Sequence, residues 1–255
     1  MLGTKIDRKS KHEIGLIRSA ARINAEAHLH VRGFIKPGIS TQELDDIAEA
    51  YIRKAGGIPT FKGLYGFPAT LCISVNDEVV HGIPNKEKIL KEGDVISVDC
   101  GTTYRGMVSD SAVTWPVGQI KPELTQLLSA TEEGLMAGIA QMVEGHYLED
   151  ISGAIEDVCK KYGYGLVRNY GGHGVGRKPH EPPFIHNFRT GERGPELKEG
   201  GVLAIEPMFN LGGDDVYTAE DNWTVLTSDH LPSAHFEHTV VITKGEPEIL
   251  TRLDF

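Results

Sequence analysis

Four carboxylates stand where an apolar strand would ordinarily exclude them, in Val95-Ile-Ser-Val-Asp99, Ser109-Asp110-Ser-Ala-Val113, Ala204-Ile-Glu206-Pro-Met208 and Phe236-Glu237-His-Thr-Val-Val-Ile242. Short runs rich in β-branched residues predict strands. Acidic side chains are rarely buried unless something neutralises them. A fold that buries these strands is expected to bring the acids to partners; for Asp99 and Asp110 alone, one exposed turn-side aspartate beside an accidental neighbour is an equal reading. Asp99 and Asp110 flank a turn around Tyr104-Arg105-Gly106. A hairpin pivoting between Tyr104 and Arg105 would set Asp99 opposite Asp110, with Cβ atoms about 4.5–5.5 Å apart, where like charges repel. A shared cation removes that repulsion.

One histidine joins the acids. His173 lies in Gly171-Gly-His-Gly-Val-Gly176, and glycine on both sides permits unusual backbone angles and close approach of other groups. Beside strand-borne carboxylates it is expected to be a ligand rather than a core residue. Four negative charges match two divalent cations, and an oxygen-rich set with one imidazole suits Mn(II), Fe(II) or Co(II) better than a structural zinc. Paired cations about 3.5–4 Å apart can activate a water between them.

The order of elements carries the fold class. Ile14, Ile17, Ala21, Ala25, His28 and Leu29 predict a helix over 11–35, stopped by Pro37-Gly38. Ser40-Thr-Gln-Glu43 is a capping box opening a second helix, which Gly56-Gly57 ends. Strands are expected over 70–75, 95–100 and 107–115. The order then repeats: a helix from Pro122, another from Leu148 to Tyr162, and strands at 202–205, 223–226 and 236–242. This predicts an α+β fold, one domain over 1–255, with related halves at about 11–115 and 121–243 that share no convincing residue identity. The long segment 177–200, opening near His180-Glu-Pro-Pro, is expected to be functional.

Composition narrows the classes. With net charge −10 and pI near 5.6 the chain is a poor nucleic-acid binder. The basic cluster Lys5, Arg8, Lys9 and Lys11 reads as a solvated helix start, with a transient ribosome contact as the lesser reading. Cys72, Cys100 and Cys159 suit neither a disulfide framework nor a zinc site and read as reduced thiols. No apolar run suits a membrane span or a leader, so the cytoplasm is the expected compartment.

Five motifs in this order resemble the type I methionine aminopeptidase family, in its short bacterial form. They are Ser74-Val-Asn-Asp-Glu-Val-Val-His81-Gly-Ile-Pro84, Val98-Asp99-Cys-Gly101 with Asp110 following, Gly172-His173-Gly-Val-Gly176, Ile205-Glu206-Pro-Met208 and Phe236-Glu237-His-Thr239. The resemblance spans about 11–252. It implies the pita-bread (creatinase/aminopeptidase) fold, two pseudo-symmetric halves with a curved antiparallel sheet covered by helices. It implies two divalent metal ions (Co, Mn, Fe or Zn), one held by Asp99, Asp110 and Glu237, the other by Asp110, His173, Glu206 and Glu237. It implies Glu206 as the catalytic proton carrier and His81 and His180 as catalytic substrate contacts. It places Phe67, Cys72 and Trp223 around a methionine side chain. Leu64 and Pro179 depart from the family pattern and would reshape that pocket. His235 and His238 flank Glu237 and are assigned to the opposite strand face as structural residues, like His28, His30, His146, His186 and His230.

The implied activity is removal of the initiator methionine from nascent chains whose second residue is small, by a monomer without membrane or specific nucleic-acid partners. An Xaa-Pro aminopeptidase or prolidase shares the fold and ligands, but usually carries a large N-terminal domain, for which metal motifs starting near residue 99 leave no room. A metal-free binding protein on this scaffold would have lost ligands. Because Leu2 is large, the chain is expected to keep its own Met1. Intact-mass spectrometry of protein made in a cell should find that methionine, and its removal would contradict the size rule.

Overall fold

Helix α1 (Lys11–Arg32) opens on a capping box in which Ser10 Oγ accepts the Glu13 N–H while the Glu13 carboxylate takes the Ser10 N–H. The same reciprocal pair, Ser40 with Glu43, starts α2 (Thr41–Lys54). These are residues of a computed structural model that describes 5–252, so the expectation for Met1 and Leu2 lies outside the described residues. The buried face of α1 is built from Ile17, Ala20, Ala21, Ile23, Ala27 and Val31. Its alanines let the helix lie close against the long hairpin of Val95–Tyr104 and Met107–Pro116. In the second half, α3 (Pro122–Ile139) and α4 (Leu148–Tyr162) pack through Gly138, where an added Cβ would meet Ile155 Cγ1 at 2.8 Å. Full burial of side chains such as Ile17, Leu44 and Ile151 contributes about 1.5–3 kcal/mol each.

All the named strand pairs are antiparallel. Leu71–Val75 and Ile58–Pro59 pair with Val95–Tyr104, whose other edge takes Met107–Pro116. A five-stranded sheet runs Glu248–Ile249, His238–Val241, Val202–Ile205, Gly172–Gly174, Glu181–Ile185. The last of these lies inside the long 177–200 segment and had no sequence signal, because Pro182 and Pro183 interrupt the pattern. It is an edge strand, where missing amide donors cost no ladder bond. Among the described residues no helix is long and apolar enough to cross a membrane. All three cysteines are free and buried, as read from the sequence.

Two expectations change. Arg105 and Gly106 both take positive φ (47° and 81°), the mark of a two-residue hairpin turn, so Tyr104 pairs with Met107 and the pivot falls between Arg105 and Gly106. Asp99 therefore faces Ala112, and Asp110 faces Gly101. The two aspartates sit on one face as diagonal rather than direct neighbours, a spacing of about 7–8 Å at the backbone that leaves room between the carboxylates. The second change is Lys9. It is not part of a solvated helix start but is buried, its Nζ 2.6 Å from Glu181 Oε2.

The two halves meet where the acids are. Ala112 and Glu237 form a backbone bridge, with Glu237 N donating to Ala112 O at 2.8 Å. On either side threonine hydroxyls replace the ladder. Thr239 Oγ1 accepts the Asp110 N–H at 2.9 Å and donates to Asp110 O at 2.7 Å. Thr114 Oγ1 accepts the His235 N–H at 2.9 Å and donates to His235 O at 2.8 Å. Thr239→Val would leave the Asp110 amide and carbonyl unpaired, and unsatisfied buried groups cost about 1–3 kcal/mol. A fall of that size in unfolding free energy, at unchanged denaturant slope, is expected in urea titration; an unaltered midpoint would show the seam to be dispensable.

Candidate metal centre

The four acids and the histidine arrive from five separate strands or the residues next to them. Asp99 and Asp110 come from the hairpin, His173 from Gly172–Gly174, Glu206 from the residue after Val202–Ile205, and Glu237 from the residue before His238–Val241. Ligand atoms of Asp99, Asp110 and Glu237 lie within 4.8 Å of one another, as do those of His173, Glu206 and Glu237. Glu237 belongs to both groups. Asp110, His173 and His180 form a third such group. Thus the five residues singled out in the sequence do converge.

Their electrostatics call for a cation. Asp99 Oδ1, Asp110 Oδ1 and Glu237 Oε1 are buried without a hydrogen-bond partner. Burial raises the pKa of Asp110 to about 7. Burial, then the neighbouring carboxylates, push Asp99, Glu206 and Glu237 well above the ordinary range. Burial also lowers His173 to about 3, so its ring is neutral. His173 Nδ1 lies 3.0 Å from Gly174 O, and a carbonyl can only accept, so the proton is on Nδ1. The Nε2 lone pair is left facing Glu206 Oε1 at 3.4 Å, two acceptors spaced as donors to one ion are spaced. This oxygen-rich set with one imidazole fits a hard or borderline divalent cation.

His81 and His180 stand over the acids. His81 has φ of 60°, a left-handed conformation that is rare outside glycine. Gly82 follows because its backbone presses on the neighbouring strand, where an added Cβ would lie 2.1 Å from Ile73 O. The His180 ring packs edge-on to His173 at 4.6 Å and lies parallel to Tyr65, 6.2 Å away. Burial lowers both His81, to about 4, and His180.

These groups form one wall of a cavity of about 270 Å³. The apolar wall includes Phe67, Cys72 and Trp223, as expected, with Phe67 edge-to-face on Trp223 at 5.1 Å. Cys72 is the cross-strand neighbour of Asp99, which sets this wall beside the acids. Leu64 lines the cavity, whereas Pro179 is not among its lining residues. The sequence reading missed Phe61, Tyr65 and Tyr170, which also line it. Gly101 was the available signal for Phe61, since a Cβ there would meet Phe61 Cε1 at 2.6 Å.

His235 corrects the sequence assignment. It lies two residues from Glu237 and shares its face. It is buried in the cavity wall, its Nε2 3.8 Å from Glu206 Oε2 and neither ring nitrogen hydrogen-bonded. His238 does turn away, bonding Thr251 Oγ1 through Nδ1 at 2.9 Å, and His28 supports the hairpin through Ser111 O at 3.0 Å.

A buried carboxylate–imidazole cluster opening on an apolar pocket defines a metal-dependent class of site, and comparison with known proteins agrees. The model of metallopeptidase family M24 matches residues 15–244. Methionine aminopeptidase 1 of Bacillus subtilis is 49% identical over 96% of this chain and 98% of its own. The methionine aminopeptidase of Clostridium perfringens is 48% identical over 95% and 97%. The crystal structure of methionine aminopeptidase from Thermotoga maritima superposes with a TM-score of 0.95, at 41% identity, over 97% of this chain and all of that one. The prolidase of Pyrococcus furiosus shares the fold at TM-score 0.80 and 24% identity, with 97% of this chain matched to 66% of that one. The chain belongs to metallopeptidase family M24, among its methionine aminopeptidases, and has their pita-bread fold.

Acids with raised folded-state pKa values hold protons that the unfolded chain has already released, so the metal-free protein loses stability as pH climbs from about 4 through about 7. A cation displaces those protons. Added Mn(II) or Co(II) should therefore raise the melting temperature more at pH 8 than at pH 6, with proton release in calorimetry at pH 7. Equal shifts at both pH values without proton release would contradict buried, protonated acids.

Proposed function

We propose that this chain removes the initiator methionine from nascent polypeptides whose second residue is small. The observation that carries the reading is the meeting, in one cavity, of the acid cluster, His81 and His180 with the apolar wall of Phe67, Cys72 and Trp223. Methionine suits that wall, since a thioether beside aromatic rings is favourable. Because the wall adjoins Asp99, a residue seated there presents its amine to the acids. That demand for a free amine makes the activity exopeptidic.

Asp99, Asp110 and Glu237 would hold one divalent ion, and Asp110, His173, Glu206 and Glu237 a second. When bound, such ions polarise the scissile carbonyl and bring the pKa of water to about 7. Glu206 takes the proton of the attacking water and delivers it to the departing amine, base then acid. His180 and His81, kept neutral by burial, hydrogen-bond the first peptide unit and the oxygen on which negative charge develops. Residues 1–255 act as a single catalytic domain, a cytoplasmic monomer whose contact with the ribosome, if made, is transient.

With Mn(II) or Co(II) supplied, Met-Ala-Ser should be hydrolysed and Ala-Pro-Ala should not; the reverse preference would transfer the chain to the Xaa-Pro reading. Glu206→Ala should lower kcat by at least about 10²–10⁴-fold. His81→Ala should lower it by about 10²–10³-fold with metal content, measured by mass spectrometry, unchanged. Loss of metal from His81→Ala would overturn this division of roles.

A further inference from the structure

Lys9 precedes α1 and its side chain is 1% exposed. Its backbone N–H donates to Gly200 O at 2.8 Å, and its ammonium lies 2.6 Å from Glu181 Oε2. Asp7 supplies a carbonyl at 3.2 Å and a carboxylate oxygen at 3.8 Å. The other oxygen of Glu181 accepts the backbone N–H groups of Arg177, at 2.6 Å, and Lys178, at 2.9 Å. The Lys9 stem runs across Gly176, whose φ is 147° and whose missing Cβ would fall 2.5 Å from Lys9 Cε. One ammonium thus fixes a carboxylate, which fixes the loop joining His173 to His180.

We propose that Lys9, from the other end of the chain, is a positioning residue for His180. His180 immediately precedes Glu181, the first residue of the strand Glu181–Ile185, so the backbone held by the Glu181 carboxylate is the one that carries the His180 ring. Anchoring Glu181 on Lys9 therefore fixes the loop end from which His180 lines the cavity in edge-on contact with His173. The loop's other ion pairs join Arg177, whose side chain is 45% exposed, to Asp7 and Glu13, so water screens them more than it does the Lys9–Glu181 pair. A buried pair roughly breaks even in stability, so placement is what this one supplies.

The inference rests on the aminopeptidase reading and is tested by a double-mutant cycle on the metal-loaded enzyme with Met-Ala-Ser. Lys9→Met should lower kcat about tenfold or more with KM changed less than about threefold, and should lower it less than about twofold in a His180→Ala background. An unchanged kcat in the Lys9→Met enzyme, or an equal loss in both backgrounds, would overturn the proposal. Glu181→Gln, which preserves shape and removes the charge, serves in the same cycle should Lys9→Met fail to fold, with the same outcomes deciding. The imidazole NMR signals of His180, assigned against His180→Ala, should move in either variant; unmoved signals would refute the positioning even if the native chain left Met-Ala-Ser intact, a result that would sink only the functional reading.

Discussion

Four carboxylates gathered in the wall of one cavity set the terms for the rest of the molecule. Ionised together without a partner they would repel, so they hold protons or share cations. Either state requires the backbones behind them to stay fixed. Asp110 is held through both its N–H and its C=O by Thr239, and Glu237 is held by Ala112. Behind the hairpin, α1 contributes Asn24, whose amide bonds Cys100 O and whose carbonyl takes the Ser111 hydroxyl at 2.6 Å. Polar residues in an otherwise alanine- and isoleucine-lined helix face are thereby explained as supports for the acids.

The chemistry of the site was more legible than its geometry. Acids embedded in apolar runs are anomalous in any sequence, and five motifs in a fixed order specify a family. The hairpin register was not legible, because nothing in Tyr104-Arg105-Gly106 announced that arginine would take a left-handed conformation. His235 was misplaced because alternation was applied to it and His238 alike, although only His238 is an odd step from Glu237. The strand Glu181–Ile185 was hidden by its prolines.

Other features required a distant partner to be visible. Lys9 looked like one more surface cation until Glu181 lay against it. Phe61 and Tyr65 carry no period that marks a cavity wall, and the glycines around them gave the only hint. Tyr65 and Gly66 take positive φ (51° and 92°), a left-handed step beside the cavity that no propensity scale registers.

The join between the halves carries one further consequence. Among the described residues, the hairpin meets the strand of Glu237 through a single backbone bridge and two hydroxyl clasps. Donor atoms lie on both sides of that line. A cation seated there would act as a rivet through overlapping plates, so filling the site would also stiffen the join.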